Sequence, residues 1–322
     1  MAFEFAGRWS VVGATLALVA TALMAACGAA PAPSPRAAAD SPRAAAVSAA
    51  SGPLLVAVGD LACSPETPRT AIACHHAATS GLALRLRPAA VALLGDTQYQ
   101  VGALSAYRQS FAPTWGRLRP RLHPAAGNHD YLTPAAADYF SYFGRSAGPR
   151  GRGYYSYNLG AWHLIVLNSN CEFVACRVGS PQERWLRADL AAHRNRCVLA
   201  YWHHPRFTSG FHGNTFAVAP LWNALHRAGA DVVLTGHDHD YERFAPQTPT
   251  GRRDPARGIR EFVVGTGGVN HYRFVRLAPN SERRSSATFG VLALTLRPGG
   301  YSWRFVPEPG ASFTDAGSGT CH

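Results

Sequence analysis

DVVLTGHDHDYER, Asp231 to Arg243, passes from an apolar, β-branched segment through a glycine into alternating histidines and aspartates. Its first half has the composition of a buried strand. Charged groups crowded at the mouth of such a strand are costly unless they are paired or bound to a metal. The pattern recurs elsewhere. LLVAVGD ends at Asp60 and VALLGD at Asp96; RLHPAAGNHD delivers Asn128, His129 and Asp130; CVLAYWHHP delivers His203 and His204. Each is a short apolar segment, then a turn signal, then a polar cluster. Between them lie stretches of helical character, Ser105 to Trp115, Pro181 to His193 and Ala219 to Ala228. Strands alternating with helices predict an α/β fold, in which ligands gather at the carboxyl ends of the strands. Imidazoles, carboxylates and an amide oxygen on one face suit two ions that share a carboxylate.

The chain has 322 residues, 47% hydrophobic and 16% charged, which argues against disorder and allows a substantial core. The formal net charge is +12, and every basic side chain counted in it is an arginine, because no lysine occurs. Those arginines are scattered and no recognition motif accompanies them, so no nucleic-acid partner is expected. At the start, Arg8 precedes an apolar run, Val11 to Ala22, too short for a comfortable membrane span. The run leads into LMAAC, which is similar to a bacterial lipobox closing at Cys27. Residues 1–26 read as a signal peptide. A lipid on Cys27 is the expected membrane attachment, and export is the expected destination. Residues 27–52 are Ala, Pro and Ser with little else and read as a tether that cannot bury a core. The remainder, 53–322, reads as a single domain.

Beyond Cys27 the cysteines are Cys63, Cys74, Cys171, Cys176, Cys197 and Cys321. An even number in an exported chain favours disulfides, with several pairings formally open. Short loops suggest Cys63 with Cys74 and Cys171 with Cys176, leaving Cys197 for Cys321. EFVVGTGG predicts a further strand, and FGVLALTLRPGGYSWRFVPEPG alternates around Pro-Gly-Gly as a closing hairpin does.

Taken in order, GDLA, GDTQY, GNHD, AYWHHP and GHDHDYER resemble the motifs of the calcineurin-like metallophosphoesterases, and within them the purple acid phosphatases. The resemblance covers most of Pro53 to about Pro309. It implies a four-layer sandwich, two packed mixed β-sheets flanked by helices, with the metal site at the C-terminal ends of the strands. It also implies the compact form, without an N-terminal β domain. Many metallophosphoesterases place a histidine two residues after the first aspartate; Ala62 stands there, where purple acid phosphatases have glycine. Three residues after Asp96 is Tyr99, where the purple enzymes place a tyrosinate ligand. A phenolate is a hard anionic donor that favours ferric iron.

The resemblance therefore implies a first metal held by Asp60, Tyr99 and His239, a second held by Asn128, His203 and His237, and Asp96 bridging both. The ions would be Fe(III) and a divalent partner, Zn, Mn or Fe. His203 rather than His204 is implied as the ligand, because the family histidine stands two residues before a proline; His204 would line the pocket. His129, and His212 nine residues after His203, match histidines that contact phosphate or protonate the leaving oxygen. Asp130 and Asp240 are expected to orient histidines, and Arg206 to clamp phosphate or to lie on the surface. The implied activity is hydrolysis of small phosphate monoesters by attack of a metal-bound hydroxide. Phosphodiester or nucleotide hydrolysis on the same ligands is the alternative. A surface-binding protein that has lost its chemistry is the remote one, since the ligand set is complete.

Overall fold

Among the residues that the computed structural model describes, 52–193 and 197–322, the apolar segments pair into two sheets. The expected signal peptide, Cys27 and all but the last residue of the tether lie outside the described residues. In the first sheet β1 (Leu54–Val58), β2 (Ala90–Leu94) and β3 (Leu122–Ala125) run parallel. In the second, β4 (Tyr155–Leu159) lies antiparallel on β5 (Trp162–Val166). Then β6 (Cys197–Tyr201) and β7 (Val232–Thr235) continue parallel to β5. Next, β8 (Tyr241–Phe244) pairs antiparallel with β9 (Arg260–Val264), which is parallel to β7, and β10 (Ser281–Ser285) borders β8. The chain then returns to the first sheet, where β11 (Gly290–Arg297), β12 (Gly300–Pro307) and β13 (Ala316–Thr320) add antiparallel strands beside β1.

Because side chains alternate faces along a strand, each buried strand feeds two cores. Leu55, Ala57, Ala92 and Leu94 meet Leu164, Leu199, Tyr201 and Leu234 between the sheets. Their neighbours Val56, Val58, Val91 and Leu93 face outward, onto Leu82 of α1 (His76–Leu86) and onto Phe111, Trp115 and Tyr139. On the far side, Ile165, Val198 and Val233 meet Leu186 of α4 (Pro181–Ala192) and Trp222 and Leu225 of α5 (Ala219–Arg227). The result is the four-layer sandwich expected of the sequence.

α4 begins as its sequence dictates. The Ser180 hydroxyl accepts from the Glu183 amide, Pro181 sits at the first turn, and the Glu183 carboxylate accepts from the Gly179 amide. The stretch Ser105 to Trp115 departs from expectation. It is a short α2 (Leu104–Ala106) opening into a π-helical turn, Tyr107–Phe111, and Pro113, which has no amide hydrogen, prevents a longer helix. Two helices, α1 and α3 (Ala137–Phe143), and the β4–β5 hairpin carried no clear period in the sequence.

All three expected disulfides form: Cys63–Cys74, Cys171–Cys176 and Cys197–Cys321. The last joins β6 to the residues after β13, and both cysteines sit in the core between the sheets. The expected hairpin closes with Arg297 opposite Gly300. Among the described residues, no helix is long and apolar enough to cross a membrane.

Candidate metal centre

The polar clusters follow β1, β2, β3, β6 and β7, and the two parallel halves bring them face to face. Asp60, Asp96 and His237, each just past a strand, adopt positive φ of 63°, 47° and 70°. That conformation is unfavourable for residues other than glycine and persists only where surrounding bonds hold it. Here the Asp60 amide donates to Gly95 O at 3.2 Å, and the His237 amide donates to Asp60 Oδ2 at 2.9 Å. Two glycines make the approach possible. A Cβ on Gly95, whose φ is +90°, would lie 2.5 Å from His203 Nδ1; one on Gly127 would lie 2.1 Å from Asp96 Oδ1. Glycine precedes Asp96 and Asn128 because another candidate, His203 from the facing sheet or Asp96 from the neighbouring strand, packs against its α-carbon.

The seven side chains converge in two groups with one atom in common. In the first, the Tyr99 hydroxyl lies 2.9 Å from Asp60 Oδ1, 2.8 Å from Asp96 Oδ2 and 3.1 Å from His239 Nε2. In the second, His203 Nε2 lies 3.0 Å from Asn128 Oδ1, 3.2 Å from His237 Nδ1 and 3.3 Å from the same Asp96 Oδ2. Asp60, Asp96, Tyr99 and His203 are buried. Backbone pairing delivers Tyr99: its amide donates to Ala62 O at 2.8 Å, and Ala62 bridges to Gln98.

Two imidazole donors are committed outward. His203 Nδ1–H donates to Leu94 O at 2.8 Å, and His239 Nδ1–H donates to Asn270 Oδ1 at 2.8 Å, so both Nε2 atoms turn inward. The inward set is dominated by acceptors, carboxylate oxygens, an amide oxygen and imidazole lone pairs, facing one another at hydrogen-bond range. Such an arrangement is repulsive unless positive charge occupies it. The electrostatics agree. Burial would raise Asp96, but the charge and hydrogen bond of His203, with His129 and His237, hold its carboxyl far below the usual range. Burial would lower His203, but Asp96 raises it to about 9. Burial and the adjoining Asp60 and Asp96 push the Tyr99 phenol well above its ordinary value, so a tyrosinate there requires a strongly charged cation. The residues present fit a pair of metal ions.

His129 stands beside the first group. Its Nδ1 donates to Gln100 O at 2.5 Å, leaving Nε2 3.9 Å from Asp96 Oδ2. The His212 ring packs 4.2 Å from that of His237, and its amide donates to Asp238 Oδ1 at 2.9 Å. Asp238 thus stays outside the cluster and fastens the loop that carries His212. His204 bonds the Ser169 hydroxyl at 2.8 Å and lines a cleft that also includes Asn128.

Three expectations fail. Asp130 accepts from Thr97, Tyr107 and the Gly127 amide, not from a histidine; it shapes the turn before Asn128. The Asp240 carboxylate is buried and bonds no histidine. Arg206 neither clamps phosphate nor lies on the surface: it is folded between Phe207 and Phe216 and donates to Pro249 O at 3.2 Å. Asn270, which sets the His239 tautomer, was not singled out in the sequence. Its signal is its place just after the GTGG turn that follows β9. Tyr272, stacked on His239 at 4.1 Å, follows from the same segment.

The family model described as "Calcineurin-like phosphoesterase" matches residues 55–241, more than half of the chain. Among curated proteins, purple acid phosphatase 18 of Arabidopsis thaliana is 29% identical over 197 residues, 55% of this chain and 43% of its own. Purple acid phosphatase 15 of the same plant is 29% identical over 174 residues, 48% of this chain and 32% of its own. The chain thus spans less than half the length of these curated relatives. Among solved structures, a purple acid phosphatase from yellow lupin seeds superposes with a TM-score of 0.70 at 16% identity, over 83% of this chain and 53% of that one.

Proposed function

The chain belongs to the calcineurin-like phosphoesterase family, and from that premise we propose that it is an exported acid phosphatase of the purple type, hydrolysing small phosphate monoesters. Asp60, Tyr99 and His239 would hold Fe(III), Asn128, His203 and His237 a divalent ion, and Asp96 would serve both. The observation that carries the reading is the shared Asp96 Oδ2, 2.8 Å from the Tyr99 hydroxyl and 3.3 Å from His203 Nε2. Such a pair of ions supplies positive charge that makes a water acidic at mild pH and neutralises the phosphoryl oxygens.

The protein's own groups do the rest. Leu94 O and Asn270 Oδ1 engage the Nδ1 atoms of His203 and His239, so that both Nε2 atoms are the ones aimed inward. His129 Nε2 and the His212 ring flank the centre, and either can pass a proton to the departing ester oxygen. His129 is oriented for this by Gln100 O and His212 by the Asp238-held loop. The Tyr272 ring stacks on one face of the His239 ring and holds it in place. The three disulfides fit an oxidising compartment outside the cytoplasm.

Metal analysis together with a visible spectrum tests the centre: iron with a second divalent ion, and a tyrosinate-to-iron band that disappears in Tyr99→Phe, is the expected result. A colourless, active, all-zinc protein would retain the phosphoesterase and remove the purple assignment. Catalytic efficiency on an aryl phosphate against a bis-aryl phosphate tests the substrate, and a strong preference for the diester overturns the monoesterase reading.

A further inference from the structure

Beside the candidate metal centre runs a cleft of about 280 Å³ lined by Asn128, His204, Phe173, Thr215 and Ala217 among others. Phe173 is 59% exposed, which alone would be unremarked for a surface residue. What sets it apart is how firmly it is held. One face of its ring stacks on Tyr131, centroids 4.5 Å apart and planes 19° from parallel. The Tyr131 hydroxyl accepts from Asn168 Nδ2 at 2.7 Å. The Phe173 and Val174 amides both donate to Asn170 O at 2.9 Å, and the Cys171–Cys176 disulfide closes the loop around the ring. Asn170 Nδ2 in turn donates to Ala126 O at 3.0 Å, two residues before Asn128. An apolar ring is thus pinned to the segment carrying a ligand candidate, with its other face turned to the cleft.

Ordering an exposed aromatic ring in advance removes a cost that a binding partner would otherwise bear. Its free face offers an apolar plane, on which a second flat ring gains dispersion and quadrupole complementarity in an offset or edge-on arrangement. Because the same cleft is lined by Asn128 and His204, that plane lies beside the candidate metal centre, not on a remote surface. We infer that the Cys171–Cys176 loop is the leaving-group subsite, and that the preferred substrates are phosphate monoesters whose alcohol carries a flat aromatic ring, seated on Phe173. This rests on the monoesterase reading above and adds the substrate class. The cleft is at the small end of ligand pockets, which suits one ring system and not an extended chain.

The test uses the full chain and two esters of primary alcohols, 2-phenylethyl phosphate and propyl phosphate, whose leaving oxygens are chemically alike and which differ in the ring. The wild type is expected to favour the phenylethyl ester by about three- to tenfold in kcat/KM. Phe173→Ala should bring that ratio close to one, while Phe173→Tyr, which keeps a flat ring, should preserve it. Because the side chain is largely exposed, neither change threatens folding. Hydrolysis of propyl phosphate reads the monoesterase function by itself. Propyl phosphate cleaved with no ring preference, or with a preference that survives Phe173→Ala, overturns the subsite alone; cleavage of neither ester overturns both.

Discussion

Among the described residues, two groupings of histidine and carboxylate are built from the same residue types and wired differently. At the strand ends, Asp96, Asn128, His203 and His237 point acceptors at one another within 3.3 Å. Beside α4, His163, Asp189 and His193 also gather, with ligand atoms close enough for a metal. There, however, the carboxylate faces donors. Ser156 Oγ donates to Asp189 Oδ1 at 2.8 Å, His163 Nε2 lies 2.8 Å from Asp189 Oδ2, and His163 Nδ1 lies 2.8 Å from Asn158 Oδ1. In the first cluster the inward acceptors outnumber the donors, even with the Tyr99 hydroxyl and the His203 proton counted; in the second each Asp189 oxygen has its own donor. Residue type does not separate a binding centre from a structural ion pair. The direction of the hydrogen bonds does.

The largest effect expected from this contrast is at Asp96. Asp96→Asn keeps the shape but removes the charge common to both groups, and hydrolysis should fall by at least about 100-fold, with metal content reduced. Hydrolysis left intact would show that the acceptor cluster is not the reacting centre. Gly127→Ala comes next. Its new Cβ would stand 2.1 Å from Asp96 Oδ1 and 2.2 Å from the Asp96 amide nitrogen, so backbone must shift. A misplacement of about 1 Å at such a site costs on the order of 100-fold in rate, and the folded state should persist by circular dichroism.

The smallest effect is the mirror case. Asp189→Asn should leave hydrolysis within about twofold of wild type and lower unfolding stability by about 2 kcal/mol, measured in urea. Its pH dependence has a definite sign. Burial would raise Asp189, but the hydrogen bonds from His163 and Ser156 hold it below its ordinary 3.8. The native carboxylate therefore binds its proton less readily than the unfolded one. Its contribution is present above pH about 4 and fades as pH falls through that value and below, so wild type and variant should converge in acid. A difference that grows in acid would contradict the wiring described here.

Much of the centre was readable before the fold was known, because strand-end ligands leave a local signature: an apolar run, a glycine, then a donor. Asp60, Asp96, Asn128 and His237 all carry it. Asn270 does not, because its part is to accept from His239 and many loop asparagines look the same. Asp130 and Asp240 misled for the converse reason. Neighbours in sequence to histidines, they turn toward Thr97 and Tyr107 in one case and into the buried interior in the other. Helix α1 has no clear signal in the sequence because Thr79, Ser80 and Gly81 interrupt its apolar stripe, and packing on the first sheet overrides that local preference.

By itself the amino-acid sequence determined the kinds of donor, their order, the α/β alternation and the two short-loop cysteine pairs, since each is written in short-range pattern and loop length. Only the tertiary structure decided that Asn270 accepts from His239, that Arg206 is folded between two phenylalanines, and that Phe173 is held beside the centre. Those outcomes depend on which way a side chain points once strands from two sheets face each other. That direction is set by contacts between residues far apart in the chain, where local pattern carries no information.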